Sequence, residues 1–479
     1  MAKSKILDLI DYFSAGEKVE FLLFLNSPYF LHTGAEEMIR LFKGLCTISE
    51  NDPHKILDKQ EIHGIVYPEK PFSPARLERG ITKLNQLAEQ FLKIHYYLRE
   101  DNEAQRSLDL AGAFRTRNMA AHFEKQLLNL QKSQVENTLE STENHLFRYQ
   151  IAREEHLWRA HFNDGSADLA IPELLEYLSL FFYNERTEML NRFLLQQKVG
   201  ALKTPEIIAL TLESPSVPEH FKRSSPLIHL RKKLQDAFFL HEPNRSNFED
   251  LMVLIQENEK KLHFSDKSNL YAFLRGYCSY LISNGNIELR ETLHEIQKDN
   301  LSKGYLYHQG KLSPSALMSM VRVALLIHKG TWAKEMVEAH RDKIMTDGDS
   351  DEVYRLILAI CLFEGKKYED VLLHIQTTYH YKPFIFIARR LELRTYYELD
   401  SDLLPYKIDA FRKFLERSGS KKASDYELLG NNNFVNFLAQ LTQRRPDQAK
   451  RSVQILQRIM AKKVVAERKW LQEKAQELA

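Results

Sequence analysis

Helix breakers are scarce in this chain. Glycine (17) and proline (15) together make 32 of 479 residues, about half of the roughly 12% found in average proteins. A collagen-like or a Gly/Pro-rich disordered chain is thereby excluded, and helix is the expected state over most of the length. Cysteine is scarcer still. Cys46, Cys278 and Cys361 lie far apart, and an odd number of thiols cannot complete an intramolecular disulfide framework, so a reducing, cytoplasmic setting is expected. An excess of charge of either sign is missing too: 67 basic residues face 65 acidic ones, a net charge of +2. No overall field draws the chain to nucleic acid or to an anionic membrane, so any such partner would need a local patch.

Long apolar runs are absent. The longest uncharged stretch, Leu428 to Gln443, contains Asn431, Asn432, Asn433 and Asn436, and it falls short of the roughly 20 apolar residues that span a membrane. Near the N-terminus Asp8 and Asp11 interrupt the apolar residues, unlike the unbroken apolar core of a secretory signal. Neither export nor a membrane partner is expected. The signatures of nucleotide, zinc and serine-hydrolase chemistry are missing as well, among them Gly-x-Gly-x-x-Gly, Gly-x4-Gly-Lys-Ser/Thr, Cys-x-x-Cys, His-Glu-x-x-His and Gly-x-Ser-x-Gly. The chain reads as a non-enzyme without cofactor or metal. Glu291 and His294 have the Glu-x-x-His spacing of a di-metal bundle, but the second pair such a site needs is not there, which leaves a solvated helix surface. Glu155 and Arg159 have the spacing of an ordinary surface ion pair.

What remains is rich in helix signals. Ser14 and Glu17, Thr33 and Glu36, and Asp58 and Glu61 stand at the capping-box spacing or its Asp analogue. Ser73-Pro74 supplies an N-cap and a preset first turn for a helix running to about Arg99. Asn26-Ser27-Pro28 ends a helix, because the residue before proline is pushed out of the α region. Farther on, helices are expected over Met119 to Leu139, Glu143 to Phe162, and Leu169 to Val199 with a break near Asn184, and Asn163 to Ser166 reads as a loop. The breaker cluster Ser214 to Pro218 marks either the main boundary or a loop inside one continuous stack.

Four stretches then repeat one pattern, an apolar helix ending in a turn that opens another. They are Cys278 to Asn286, Ala324 to Trp332, Ala359 to Tyr368 and Leu393 to Ser401. Their turn markers, Gly285, Gly330, Gly365 and Asp400, are 45, 35 and 35 residues apart, and the first interval has room for an insertion. The copy Cys361-Leu-Phe-Glu-Gly-Lys-Lys-Tyr-Glu-Asp-Val-Leu resembles the tetratricopeptide repeat most closely, with one extra residue between Gly365 and Tyr368. The resemblance covers roughly Leu270 to Leu415. It implies stacked helical hairpins whose first helices line a surface for a peptide or partner protein. Tyr280, His328 and Tyr396 are candidates for that surface. The order of landmarks, from Asn26-Ser-Pro-Tyr-Phe30 to Phe411-Arg-Lys-Phe-Leu415, also resembles an uncharacterised bacterial family of about this length. That likeness implies a bacterial cytoplasmic origin and no activity.

The last segment is the candidate patch. From Leu441 to Ala479, ten basic residues stand against four acidic ones, among them Arg444, Arg445, Lys450, Arg451, Arg458, Lys462, Lys463, Arg468 and Lys469. Val453, Leu456, Met460, Val464, Leu471 and Leu478 give the same stretch an apolar face. Three readings stay open: a helix that caps the stack, a contact to RNA, a ribosome or DNA, and a helix for a partner's groove. The expected fold is all-α, a tetratricopeptide-like α-solenoid preceded by an N-terminal helical unit. Its divisions are 1–105, helical hairpins over 106–215, repeats over 216–440 and a basic C-terminal helix over 441–479.

Overall fold

The computed structural model describes residues 5–51, 59–136, 139–161, 170–200, 217–240, 242–345, 350–376, 379, 382–422, 425–443 and 448–479. The fold is all-α. Two compact units divide the chain: Met1–Glu136 with Gln150–Ala170, and Asn137–Tyr149 with Ile171–Ala479.

In the first unit, α1 (Lys5–Tyr12), α2 (Ala15–Asn26), α3 (Ala35–Asn51), α4 (Lys59–Val66) and α5 (Pro74–Tyr97) share one core. Phe21 is its hub, with ring centroids 5.6 Å from Phe13, 4.9 Å from Phe42 and 5.2 Å from Phe91. The Ser14–Glu17 capping box forms, and Ser73 caps α5 with Pro74 in its first turn. Thr33 does not cap α3. The helix starts at Ala35, and Gly34 takes the residue before it at a left-handed φ of 79°. Asp58 lies outside the described residues, as do Asn163 to Ser166 and Ser214 to Ser216. A helical pair, α6 (Glu103–Thr116) and α7 (Ala120–Glu136), completes the unit with the later turns of α8 (Thr142–His161). There Trp158 stacks on Phe123 at 4.7 Å, Arg115 Nε donates to Glu154 at 2.7 Å, and Glu155 pairs with Arg159 as its spacing predicts.

The second unit begins with α9 (Ile171–Gly200), which runs through Asn184 without the expected break. Asn184 is fully buried; its Nδ2 donates to Leu180 O at 3.1 Å and its Oδ1 accepts from Arg231 at 3.0 Å. Its polar group is thus satisfied inside the helix, and nothing forces an end there. Next come α10 (Glu219–Ser224), α11 (Pro226–Gln235) with a π turn over Asp236–Leu240, α12 (Arg245–Asn258), α13 (Phe264–Ser283) and α14 (Leu289–Ser302). After α14 a small β-hairpin, Tyr307–His308 paired with Lys311–Leu312, fills part of the longest repeat interval. Then follow α15 (Pro314–Leu326), α16 (Gly330–Ala339), α17 (Ser350–Glu364), α18 (Tyr368–His374), α19 (Lys382–Glu398), α20 (Leu404–Lys422), α21 (Asp425–Leu441), α22 (Gln448–Ala461) and α23 (Arg468–Glu477).

From α11 onward each helix packs on its successor, and α15 with α17, α17 with α19, and α21 with α23 also touch. Buried apolar residues form one cluster from Leu227 to Val323 and another from Leu312 to Ala475. The core therefore grows along a line, as stacked hairpins require. Among the described residues, no helix is long and apolar enough to cross a membrane.

The hairpin turns share one geometry. In each, the amide of the residue after the turn donates back to a carbonyl five positions earlier: Asn286 to Leu281, Lys329 to Ala324, Lys367 to Leu362 and Ser401 to Tyr396, at 2.8–3.0 Å. This is the 6→1 bond of a Schellman C-cap. The left-handed residue is Gly285 (φ 109°), His328 (61°), Lys366 (57°) or Asp400 (47°). Gly330 and Gly365 are thus not the turn centres; Gly330 opens α16 and Gly365 precedes the left-handed Lys366. The true centres are 43, 38 and 34 residues apart. Glycine is favoured but not obligatory at such a site, so the glycines displace the apparent register by two residues at Gly330 and by one at Gly365.

Candidate functional site

Register decides which side chains share a face. Ser283, Leu326, Glu364 and Glu398 each stand two residues before the left-handed turn residue, and Arg322, Ile360 and Arg394 stand six before it. One helical turn separates the two sets, so α13, α15, α17 and α19 present them in one row. That row walls a groove of about 1180 Å³, with Arg390 and Leu391 of α19 and Glu427, Gly430 and Asn431 of α21. Tyr280, His328 and Tyr396 are not among the residues that line it. Tyr280 packs edge-on to Phe238 at 5.3 Å, His328 is an exposed turn residue, and Tyr396 lies under Lys407.

The far wall of the groove is the chain's own C-terminal segment. Glu467 is central: its Oε1 accepts from Arg390 Nε at 2.9 Å and its Oε2 from Arg394 Nη1 at 2.9 Å. Arg390 also donates to Asn431 Oδ1 at 2.8 Å, and Arg394 lies 3.7 Å from Glu364. Burial pushes the Glu467 carboxyl up, but the charges of Arg394, Arg390 and Arg322 outweigh it and hold the group at about 2. Arg322 is ringed by protein yet open to the groove's solvent, and burial lowers its own affinity for a proton. Among the described residues it makes no hydrogen bond or ion pair. The Arg394 guanidinium is sandwiched, 4.2 Å from the Phe363 ring and 5.4 Å from Trp470. Trp470 Nε1 donates to Glu398 at 2.7 Å, and Lys474 reaches the same carboxylate at 3.0 Å.

The basic residues of the C-terminal segment do not share one face, because the segment is two helices and not one. Arg468 makes the turn: its guanidinium donates to the carbonyls of Ile459 at 3.1 Å, Met460 at 3.4 Å and Lys463 at 3.1 Å. It thereby fills acceptors that the end of α22 leaves open. Arg451 bonds Gln443 at 3.0 Å, Arg458 bonds Gln440 at 2.9 Å over the Phe437 ring, and Lys469 pairs with Glu473 at 3.6 Å. Lys450, Lys462 and Lys463 are exposed, and Arg444 and Arg445 lie outside the described residues. The expected apolar face holds in part: Leu471 is buried and Leu456 and Leu478 pack against the core, whereas Val453 and Met460 are exposed and Ile455 and Ile459 are buried in their stead.

A second arginine cluster lies in the same unit. Arg231, 2% exposed, bonds Thr142 at 2.9 Å, Asn184 at 3.0 Å, Asp266 at 2.7 Å and Glu188. Burial drives the Asp266 carboxyl up to about 7 against the pull of Arg231, with Glu143, Glu188 and Glu140 adding to the rise. The cluster ties α8, α9, α11 and α13 together.

Of the other candidates, Glu291 and His294 point apart. Glu291 is exposed, whereas His294 is 1% exposed with its ring edge-on to Trp332 at 4.5 Å, so the solvated surface expected there holds for only one of the two. Among the described residues, no group of three or more His, Cys, Asp or Glu side chains is disposed to hold a metal ion. Burial pushes the Cys278 and Cys361 thiols up to about 12 and about 11, away from nucleophilic character. No protein-family model, no curated protein and no solved structure matches the chain.

Proposed function

We propose that this chain is a non-catalytic protein-interaction scaffold of the tetratricopeptide kind, working in the bacterial cytoplasm, that binds a peptide or partner protein in the groove along the first helices of its hairpins. The observation that carries this reading is that the groove already holds a peptide segment. Residues 464–470 lie against it through charge-assisted hydrogen bonds at Glu467, a stacked Trp470, and the Ala466 amide, which donates to Gly430 O at 3.1 Å. Paired arginines beside aromatic faces and a main-chain acceptor are groups suited to holding a carboxylate-bearing peptide.

The test is photo-crosslinking in cells. A benzoylphenylalanine at Leu326, 41% exposed in the groove, is expected to capture a discrete protein, and the same probe at Leu373, 80% exposed on α18, is not. Absence of any groove-specific protein adduct would overturn the reading.

A second reading, an RNA-, ribosome- or DNA-associated factor, draws on the exposed Lys450, Lys462, Lys463 and Lys469. It predicts adducts lost to nuclease, and an affinity that falls steeply with salt and is removed by changing those four lysines to glutamine.

A further inference from the structure

The segment that fills the groove is not simply the next helix of the stack. A further first helix would pack on the preceding hairpin, α21 and α22, and α23 does touch both. It also reaches one hairpin farther back. Trp470 packs edge-on to Tyr397 of α19 at 5.2 Å, Lys474 and Trp470 share Glu398, and Glu467 takes both Arg390 and Arg394. A cap that only shields apolar surface needs no carboxylate at that place.

Two further observations bear on what the groove can take. The segment passes close to Gly430: a Cβ there would be in ordinary van der Waals contact, 3.4 Å from Val464 Cγ1 and 3.6 Å from the Ala466 nitrogen, so only a larger side chain would block the approach. Donors are also left over. The Nε of Arg394 is buried without an acceptor, and Arg322 bonds to nothing among the described residues. The wall's own carboxylates, Glu364 and Glu427, flank Arg394 and Arg390. The spare donors, Arg394 Nε and the Arg322 guanidinium, lie beside the place that Glu467 now occupies, within reach of an incoming carboxylate.

Resting on the binding reading above, we infer that the ligand of this groove is an acidic peptide segment carrying an aromatic residue about one helical turn beyond its carboxylate, and that residues 464–478 are its resident stand-in, which such a partner displaces. One glutamate and one tryptophan, three positions apart, serve the stand-in role. A partner with a second carboxylate would engage Arg322 as well.

The probe is a fluorescein-labelled peptide of residues 463–479, with a second peptide that carries glutamine at the position of Glu467. Full-length protein is titrated by fluorescence anisotropy. Wild type is expected to bind the acidic peptide weakly, because its own segment competes. Two variants open the groove by different routes: Glu467→Gln removes the resident carboxylate, and Gly430→Leu blocks the close approach without touching any charge. Each is expected to bind the acidic peptide at least about tenfold more tightly than wild type, and the glutamine peptide about tenfold more weakly than the acidic one. Adding Arg390→Ala and Arg394→Ala to either variant should abolish binding.

Equal binding of the two peptides, or no gain in the opened variants, overturns the inference. Hydrogen exchange on wild type keeps the question decidable if a variant misfolds: amides of 464–478 should exchange much faster than those of α19, and equal protection makes the segment a permanent part of the core. If the Leu326 probe captures a protein while the peptides fail, only this inference falls; if both fail, the binding reading falls with it.

Discussion

Two clusters in the second unit use the same chemistry with opposite layouts. Around Arg231 the cation sits at the centre, enclosed, with Glu188 and Asp266 as counter-charges and Thr142 and Asn184 filling the remaining donors. In the groove the anion sits at the centre: Glu467 faces Arg390, Arg394 and Arg322, and solvent reaches the arrangement. Breaking a closed, desolvated pair strands a charge with no water to take over. Where water or another carboxylate can enter, the lost partner is replaceable. The first layout suits a permanent tie between helices, and the second suits an exchangeable contact.

Substitutions separate the two. The largest effect is expected from Arg231→Leu, which leaves the Glu188 and Asp266 carboxylates buried without their cation. A loss of about 3–5 kcal/mol in urea unfolding is expected, and a loss below about 1 kcal/mol would show that the cluster is not a tie.

Next comes pH, where the clusters respond in opposite senses. Asp266, up at about 7 in the folded chain, keeps a proton that the unfolded chain gives up near its ordinary value of 3.8, so it makes stability fall as pH rises from about 4 to 7. Glu467, down at about 2, contributes stability that is complete above its ordinary 4.5 and is lost as pH drops toward 2. Melts from pH 2 to 8 should show Asp266→Asn removing the first slope and Glu467→Gln the second. Parallel curves for wild type and either variant would contradict the assignment.

Smaller again is Glu467→Gln at neutral pH, expected to cost about 1–3 kcal/mol and to raise exchange mainly within 464–478. If protection is lost through α11 to α14 as well, the groove contact is a tie after all. The smallest change is expected from Arg322→Ala, within about 0.5 kcal/mol by thermal unfolding, since the side chain has no bonded partner to strand.

Much of the fold could be read from local signals. Ser14 with Glu17, Ser73 with Pro74, and Ser27 before Pro28 act within one turn of the chain, and each produced the expected helix end. Asn184 misled because its side chain is satisfied by Arg231, 47 positions away, so a residue that breaks isolated helices is at home in this one. The repeat turns were visible but misregistered, since His328 and Lys366 take the left-handed place that glycine usually marks. The shift moves the turns at Gly330 and Gly365 only; Tyr280 and Tyr396 stand before turns whose centres, Gly285 and Asp400, are where the sequence marks them, yet Ser283 and Arg394 and not these tyrosines line the groove. The i, i+4 spacing of Arg390 and Arg394 on one helical face is itself a legible signal.

Composition and local spacing were enough for an all-helical chain of stacked hairpins, because helix ends and amphipathic faces are encoded over a few residues each. They could not tell where the chain goes after its last hairpin. The contacts that hold Glu467 join residues 73 and 77 positions apart, and ion pairs of that separation leave no periodicity or motif behind. Which arginines meet that carboxylate, and which stay spare, depends on how the helices stack and on the left-handed turn at Glu467, both of which exist only in the folded unit.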